Sequence, residues 1–369
     1  MEHTRRYTAT AFTVAAAGYC LLFLLNKATA QEAKQDETLY ALFEKTLDKY
    51  HDEKYDEAIQ LATRIRKLYP DEPAGVFGLL VTYQTMMRNY RVRNFEAQYD
   101  SLLDLSVELA KNALKKNNKD GRIYFYLGCA YGSRSIYYAQ RGKWLAAFKD
   151  GSRVLNNFKK AVAYSPEFYD AYYGLGLYKY WLGAKAKLLR FLSFAKDQRR
   201  EGIEQIKITA EKGRFLKVDG MYGLLAVYFN EGQYEKALEI SEELYEIYPE
   251  NPTLLYRRGR IFQALERWSE ARQHFETLYG LLTAARYQSV SYKIECLFQI
   301  AKCEYHLGNY LETQRFCQEA IRLEKYCDFS KEIDGPLEKF SEIEKQLHEL
   351  DLEIKELRLT QANGKHLEE

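Results

Sequence analysis

Proline, methionine and tryptophan are scarce in this chain, with 6, 4 and 3 copies in 369 residues. Proline removes a helix hydrogen bond and clashes with the preceding turn, so its scarcity leaves room for long helices. An excess of one charge is also missing. The formal net charge is +2, which excludes a global electrostatic pull toward nucleic acid, and there is no zinc-finger spacing, recognition-helix module or basic tail. Enzyme signatures are absent too: there is no GxSxG elbow and no phosphate-binding glycine loop, and His348-Glu349 is followed by Leu352 where an HExxH motif needs its second histidine. The sequence therefore predicts no catalytic residues, no cofactor, no metal site and no nucleic-acid partner. Five cysteines follow the N-terminal stretch, Cys129, Cys296, Cys303, Cys317 and Cys327, with no CxxC pair. They are either small buried hydrophobes or include one disulfide among the last four; an odd count leaves at least one thiol unpaired within the chain.

What is present begins with an export signal. Arg5 and Arg6 precede an uncharged run from Tyr7 to Asn26, and Ala28-Thr29-Ala30 supplies small residues at a signal-peptidase site. Residues 1–30 are expected to be a cleaved signal peptide. The alternative is an uncleaved anchor, since the run is about long enough to span a bilayer. Either way the bulk of the chain is expected to be exported, to the periplasm or cell envelope.

Self-similarity dominates the rest. Tyr55 to Ala58 and Tyr234 to Ala237 are both three residues, and Tyr55 to Pro70 and Tyr234 to Pro249 are both fifteen. Pro73 and Pro252 follow at the same offset. This resembles the tetratricopeptide motif, a helix pair repeating every 34 residues. The phase places repeats at 39–72, 73–120, 121–168, 169–217, 218–251, 252–293 and 294–327. Gly128, Gly176 and Gly259 then fall at position 8, and Ala58, Ala237 and Ala271 at position 20. The resemblance implies an all-α, right-handed superhelical solenoid of about seven helix hairpins, in which each hairpin buries its apolar face against its neighbours.

Four repeats exceed the motif. Repeats two and three each carry fourteen extra residues, which adds about two turns to each helix without much rotating its apolar face. In repeat three Ala147 and Trp144 arrive seven residues late, and Phe158, Ala161 and Pro166 fourteen late. Repeat six is long after Phe275, by an extended second helix or a longer loop. Behind Gly335-Pro336, with proline at a first helical turn, Phe340, Ile343, Leu347, Leu350, Ile354 and Leu357 form a seam over 336–359. This is a helix capping repeat seven, or a short dimerising coiled coil. Residues 360–369 are expected to be a disordered tail, and the chain a monomer or a dimer.

Function enters through the resemblance. In tetratricopeptide arrays position 5 lines the concave groove, and here it reads Phe43, Phe77, Phe125, Tyr173, Tyr222, Tyr256 and Phe298; Tyr180 and Phe229 add to it at position 12. Aromatic rings give large contact area at low entropic cost. Phe125, Tyr173, Tyr180, Tyr222, Phe229, Tyr256 and Phe298 are therefore candidates for holding a partner protein or peptide, unless they pack between helices. The lysine clamp of chaperone-tail-binding relatives is absent. The repeat-four insertion mixes Lys185, Lys187, Arg190, Arg199 and Arg200 with Phe191 and leucines, and so could meet an anionic membrane or a partner. Gly174 to Gly183 also looks like a segment of exported bacterial repeat proteins. The expected function is a non-catalytic, protein-binding scaffold. The alternative is a structural component of a cell-envelope assembly complex, attached to a membrane through its N-terminus or residues 184–200.

Overall fold

The computed structural model describes residues 37–185 and 197–365, and the signal stretch 1–30 lies outside them. Apart from an isolated bridge between Val92 and Glu332, their regular structure is helical. Fourteen helices form seven antiparallel hairpins: α1 (37–51) with α2 (Tyr55–Leu68), α3 (Pro73–Tyr90) with α4 (Glu96–Lys116), α5 (Gly121–Gln140) with α6 (Trp144–Tyr164), α7 (Ala171–Lys185) with α8 (Arg199–Lys212), α9 (Lys217–Asn230) with α10 (Tyr234–Ile247), α11 (Pro252–Ala264) with α12 (Trp268–Ala284), and α13 (Val290–His306) with α14 (Tyr310–Leu323). A final helix, α15 (Phe340–Lys365), follows. No helix among the described residues is long and apolar enough to cross a membrane.

Local sequence sets these boundaries. Proline opens α3 and α11, where its missing N–H would have had no partner anyway. The Asn251 side chain accepts from the Leu254 amide at 3.1 Å and caps α11. Asp170 reaches across from repeat four to accept from the Phe215 and Leu216 amides, at 2.8 and 2.6 Å, just before α9. Within five hairpins the turn holds one left-handed residue two positions before the aromatic that starts the second helix: Glu53, Gly142, Gly232, Glu266 and Gly308. Only glycine adopts that conformation without steric cost.

The small residues sit where two helices meet. A Cβ on Gly259 would lie 2.5 Å from the Phe275 ring, and one on Gly176 would lie 2.7 Å from the Gly202 carbonyl. Ala147, Ala237 and Ala271 are buried. Repeats two and three lengthen both of their helices, and repeat six lengthens its second. Three boundaries differ from expectation. Repeat seven begins at Val290, capped by Ser289, rather than at 294. The last helix starts at Phe340, leaving Pro336 in the preceding loop, because the Asp334 side chain accepts from the Phe340 amide at 3.2 Å. It then runs to Lys365, so residues 360–365 are helical rather than a disordered tail. Phe340, Ile343, Leu347, Leu350 and Ile354 are buried against α13 and α14, while Glu342, Lys345, Glu349 and Glu353 face outward. That is the arrangement of a cap. All five cysteines are free thiols, and Cys296, Cys303 and Cys317 are buried.

Candidate functional site

The inner helices do not enclose an open groove. The first two repeats fold across onto repeats five to seven and close the superhelix on itself. Tyr50 donates to Asp219 at 2.9 Å, His51 meets the same carboxylate at 3.2 Å, and the His51 ring stacks on Tyr222 with centroids 6.0 Å apart. Glu53 accepts from Asn89 at 2.7 Å, from Asn251 at 2.9 Å and from Tyr55 at 2.8 Å. Thr253 donates to Asn89 at 2.7 Å. Further along, the buried Arg91 guanidinium pairs with Glu295 and lies 3.6 Å from the centroid of the Tyr292 ring. Backbone bonds finish the seam: the Arg93 amide donates to the Lys331 carbonyl at 2.8 Å and the Ile333 amide to the Arg91 carbonyl at 2.9 Å. Glu53 and Arg91 both hold left-handed backbone that costs a non-glycine residue energy. Both are committed to this seam.

Closure decides the fate of the aromatic file. The Phe77 ring packs tilted against Phe43, with centroids 6.1 Å apart, and edge-on against Phe125 at 6.0 Å, and Phe43 also meets Phe215 edge-on at 5.2 Å. Phe125, Tyr180, Tyr256 and Phe298 are buried. These four were expected to line an exposed groove, and instead they are packing residues. Tyr180 donates to Glu231 at 2.8 Å and accepts from Asn230 at 2.7 Å, locking repeat four to five. Tyr256 donates to Glu295 at 2.5 Å. Tyr173, Tyr222 and Phe229 keep part of their surface exposed. Of the insertion residues, Lys187, Arg190 and Phe191 lie outside the described residues, and Lys185 ends α7. Arg199 is committed to Asp197 at 2.8 Å and Glu231 at 3.2 Å, while Arg200 is exposed.

What position 5 did not reveal is the charge beside these three rings. Arg88 is exposed at the end of α3, and its field reaches Tyr173, Tyr222 and Arg257. Arg257 sits 6.0 Å from the Phe229 centroid. Burial, and then repulsion from Arg88, Arg260 and Arg91, holds its guanidinium below the usual arginine value. Burial and Arg260 likewise depress Lys302 on α13. Arg88, Arg257 and Lys302 have no carboxylate within ion-pairing distance among the described residues, whereas the nearby acids are engaged: Asp219 by Tyr50 and His51, and Glu53 by Tyr55, Asn89 and Asn251. Burial alone would raise the Asp219 carboxyl; the His51 charge and its two hydrogen bonds outweigh it and hold the group low. Tyr173, Tyr222 and Phe229 thus keep part of their surface exposed near Arg88 and Arg257, which make no direct ion pair among the described residues although the Arg88 charge also favours the Asp219 and Glu53 carboxylates. A signal existed in the sequence, since Arg260 and Lys302 replace apolar residues at position 9. No group of three or more potential metal ligands occurs among the described residues.

Residues 228–290 match the tetratricopeptide repeat family. No curated protein matches the sequence. Among solved structures, the chain is similar to one in the APC/C hetero-tetramer Cut9–Hcn1, at 14% identity over 73% of this chain and 43% of that one, with a TM-score of 0.48. It thus spans less than half of that relative. A tetratricopeptide protein of Thermus thermophilus is 18% identical over 62% and 98% of the two chains, with a TM-score of 0.40. The type IV pilus biogenesis factor PilW is 14% identical over 63% and 91%, with a TM-score of 0.44. The family match runs from the end of α9 through α10, α11 and α12, and repeat five keeps the unextended helix length, fourteen residues each. The other hairpins keep the same packing positions, several of them on longer helices. The matched segment is similar to the tetratricopeptide repeat family, and the helix hairpins on either side of it stack in the manner of such a repeat array.

Proposed function

We propose that this protein is a non-catalytic scaffold that holds an acidic segment of a partner protein against the inner surface around Arg88, Tyr222, Phe229 and Arg257. One observation carries the reading: the exposed Arg88 and the half-buried Arg257 have no direct carboxylate partner among the described residues, while the neighbouring Asp219 and Glu53 are taken up by hydrogen-bond donors. Like charges gathered at a concave surface are a common mark of a site for the opposite charge. Tyr173, Tyr222 and Phe229 would supply the apolar contact, and the Tyr222 hydroxyl, itself buried, has no hydrogen-bond partner among the described residues. The Arg5–Ala30 signal supports placing this activity in the exported compartment.

The test is fluorescence anisotropy with a labelled Glu- and Leu-rich decapeptide and a Lys-for-Glu control. Binding of the acidic peptide should weaken with salt and fall tenfold or more in Arg88→Glu/Arg257→Glu. Equal affinity for the basic control, or no loss in the double variant, overturns the reading.

A further inference from the structure

The hairpin of repeat three carries a second surface, far from the inner cations in character and unused by the reading above. Residues 121–164 contain eight Lys or Arg and a single acid, Asp150, in a chain whose net charge is only +2. Asp150 is itself buried and taken, bound by Arg134 at 2.6 Å and Arg153 at 2.9 Å. Two more of the cations are paired outside the hairpin, Arg122 with Asp120 and Arg141 with Glu96, and Arg134 also reaches Asp104. Lys143, Lys149, Lys159 and Lys160 have no carboxylate partner among the described residues, and the last three are exposed along α6.

At the end of this basic shaft stand the two most exposed large apolar side chains among the described residues, Leu145 at 90% and Phe148 at 80%. Spaced three apart at the start of α6, they share one face. Ile136, in the last turns of α5, is 54% exposed at the same level of the hairpin, whose register is fixed by the Ser135 hydroxyl donating to the Ala147 carbonyl at 2.8 Å. The repeat phase shows how unusual this is. Leu145 occupies the position held by Asp56, Glu235 and Ser269 in repeats one, five and six and by Leu311 in repeat seven, and of these only Leu145 is followed three residues on by a second highly exposed apolar side chain. Phe148 occupies that of Ile59 and Leu238, which are packed against the core. The helices α5 and α6 have 20 and 21 residues against 14 in α9 and α10, so this tip reaches about 10 Å further along the helix axis.

We infer that the α5–α6 tip docks on an anionic lipid surface. Leu145, Phe148 and Ile136 would enter the acyl boundary while Lys143 and Lys149 meet lipid phosphates, with Lys159 and Lys160 adding attraction from further along the shaft. Apolar side chains at an exposed tip with unpaired lysines behind them match a bilayer interface in both charge and polarity order. An acidic protein would satisfy the lysines but needs a shaped pocket for the apolar pair, and the tip is convex.

The test is flotation of the full chain with vesicles of phosphatidylcholine alone or mixed with phosphatidylglycerol, comparing wild type with Leu145→Ser/Phe148→Ser and with Lys149→Glu/Lys160→Glu. Both substitutions change exposed side chains, and circular dichroism confirms that each variant folds. The N-terminal segment is common to all forms, so the difference between them reports on the tip. The anionic vesicles should be preferred, and each double variant should lower the bound fraction fivefold or more. Equal flotation of wild type and variants, or equal binding to neutral vesicles, overturns the inference. So does a wild type that ignores vesicles but forms a dimer abolished by Leu145→Ser/Phe148→Ser, because the tip then docks on a second copy.

Discussion

Replacing Arg91 tests whether the superhelix is closed as described. Arg91 lies at the C-terminus of α3, and its side chain crosses to α13, where it pairs with Glu295 between the rings of Tyr256 and Tyr292. Both partners are nearly inaccessible, with side-chain exposures of 5% and 3%. Arg91→Met keeps the aliphatic stem but strands the Glu295 carboxylate with only the Tyr256 hydroxyl for company. Breaking a buried pair by removing one member costs about 3–5 kcal/mol, mostly the penalty of an uncompensated charge. Adding Glu295→Gln removes that charge while keeping an acceptor for Tyr256, so the double variant should recover about 1–3 kcal/mol of the loss. Urea denaturation followed by circular dichroism measures both. Hydrogen exchange supplies a second readout that a merely local contact would not move. In an open solenoid the second and seventh repeats are independent neighbours of other repeats. In a closed one, loosening Arg91 should lower amide protection in α3 and α13 together. A cost below about 1 kcal/mol, or unchanged protection in α13, would refute the closure argument.

Two further outcomes follow from the same packing. Ala237 is fully buried where α10 meets its neighbours, so Ala237→Leu should overpack that contact and lower stability by about 1–3 kcal/mol in urea denaturation; an unchanged midpoint contradicts the repeat phase. Burial raises the Glu53 carboxyl to about 7, against the pull of its Tyr55 and Asn89 hydrogen bonds. A raised acid binds its proton more tightly in the folded than in the unfolded state, so its stabilisation is complete below the unfolded value near 4.5 and is lost as pH climbs through 7. Stability should therefore decline between about pH 5 and pH 8, and Glu53→Gln should flatten that slope; a variant with the wild-type slope assigns it to another group.

Much of the hairpin framework was legible because it rests on short-range rules. Gly128, Gly176 and Gly259 recur where a helix must approach a bulky partner, and Phe158 and Phe275 fill the space beside two of them. The seven-residue delay of Trp144 and Ala147 located the extended hairpin because two helical turns preserve the face. The start of α13 was missed because its signal, a Ser289 cap, lies inside a stretch without proline or glycine. The closure was not legible at all. Its contacts join residues 164 to 242 positions apart, such as Asn89 with Thr253 and Arg91 with Ile333. No periodicity connects such pairs.

Position 5 also shows why a repeat phase predicts placement better than exposure. The phase correctly puts Phe43, Phe77 and Phe125 on the inner helices, but whether an inner face meets solvent depends on how tightly the superhelix winds. Here the winding is tight enough that rings from repeats one, two and three fill the axis against one another and against Phe215. Burying a Phe side chain stabilises by roughly 1.5–3 kcal/mol, so a file of such rings favours the closed form over an open groove lined with the same residues. Among the described residues, Tyr173, Tyr222 and Phe229 keep part of their surface exposed near Arg88 and Arg257. On the proposed function these two cations attract a carboxylate-bearing partner, so neutralising them should abolish binding of the acidic peptide.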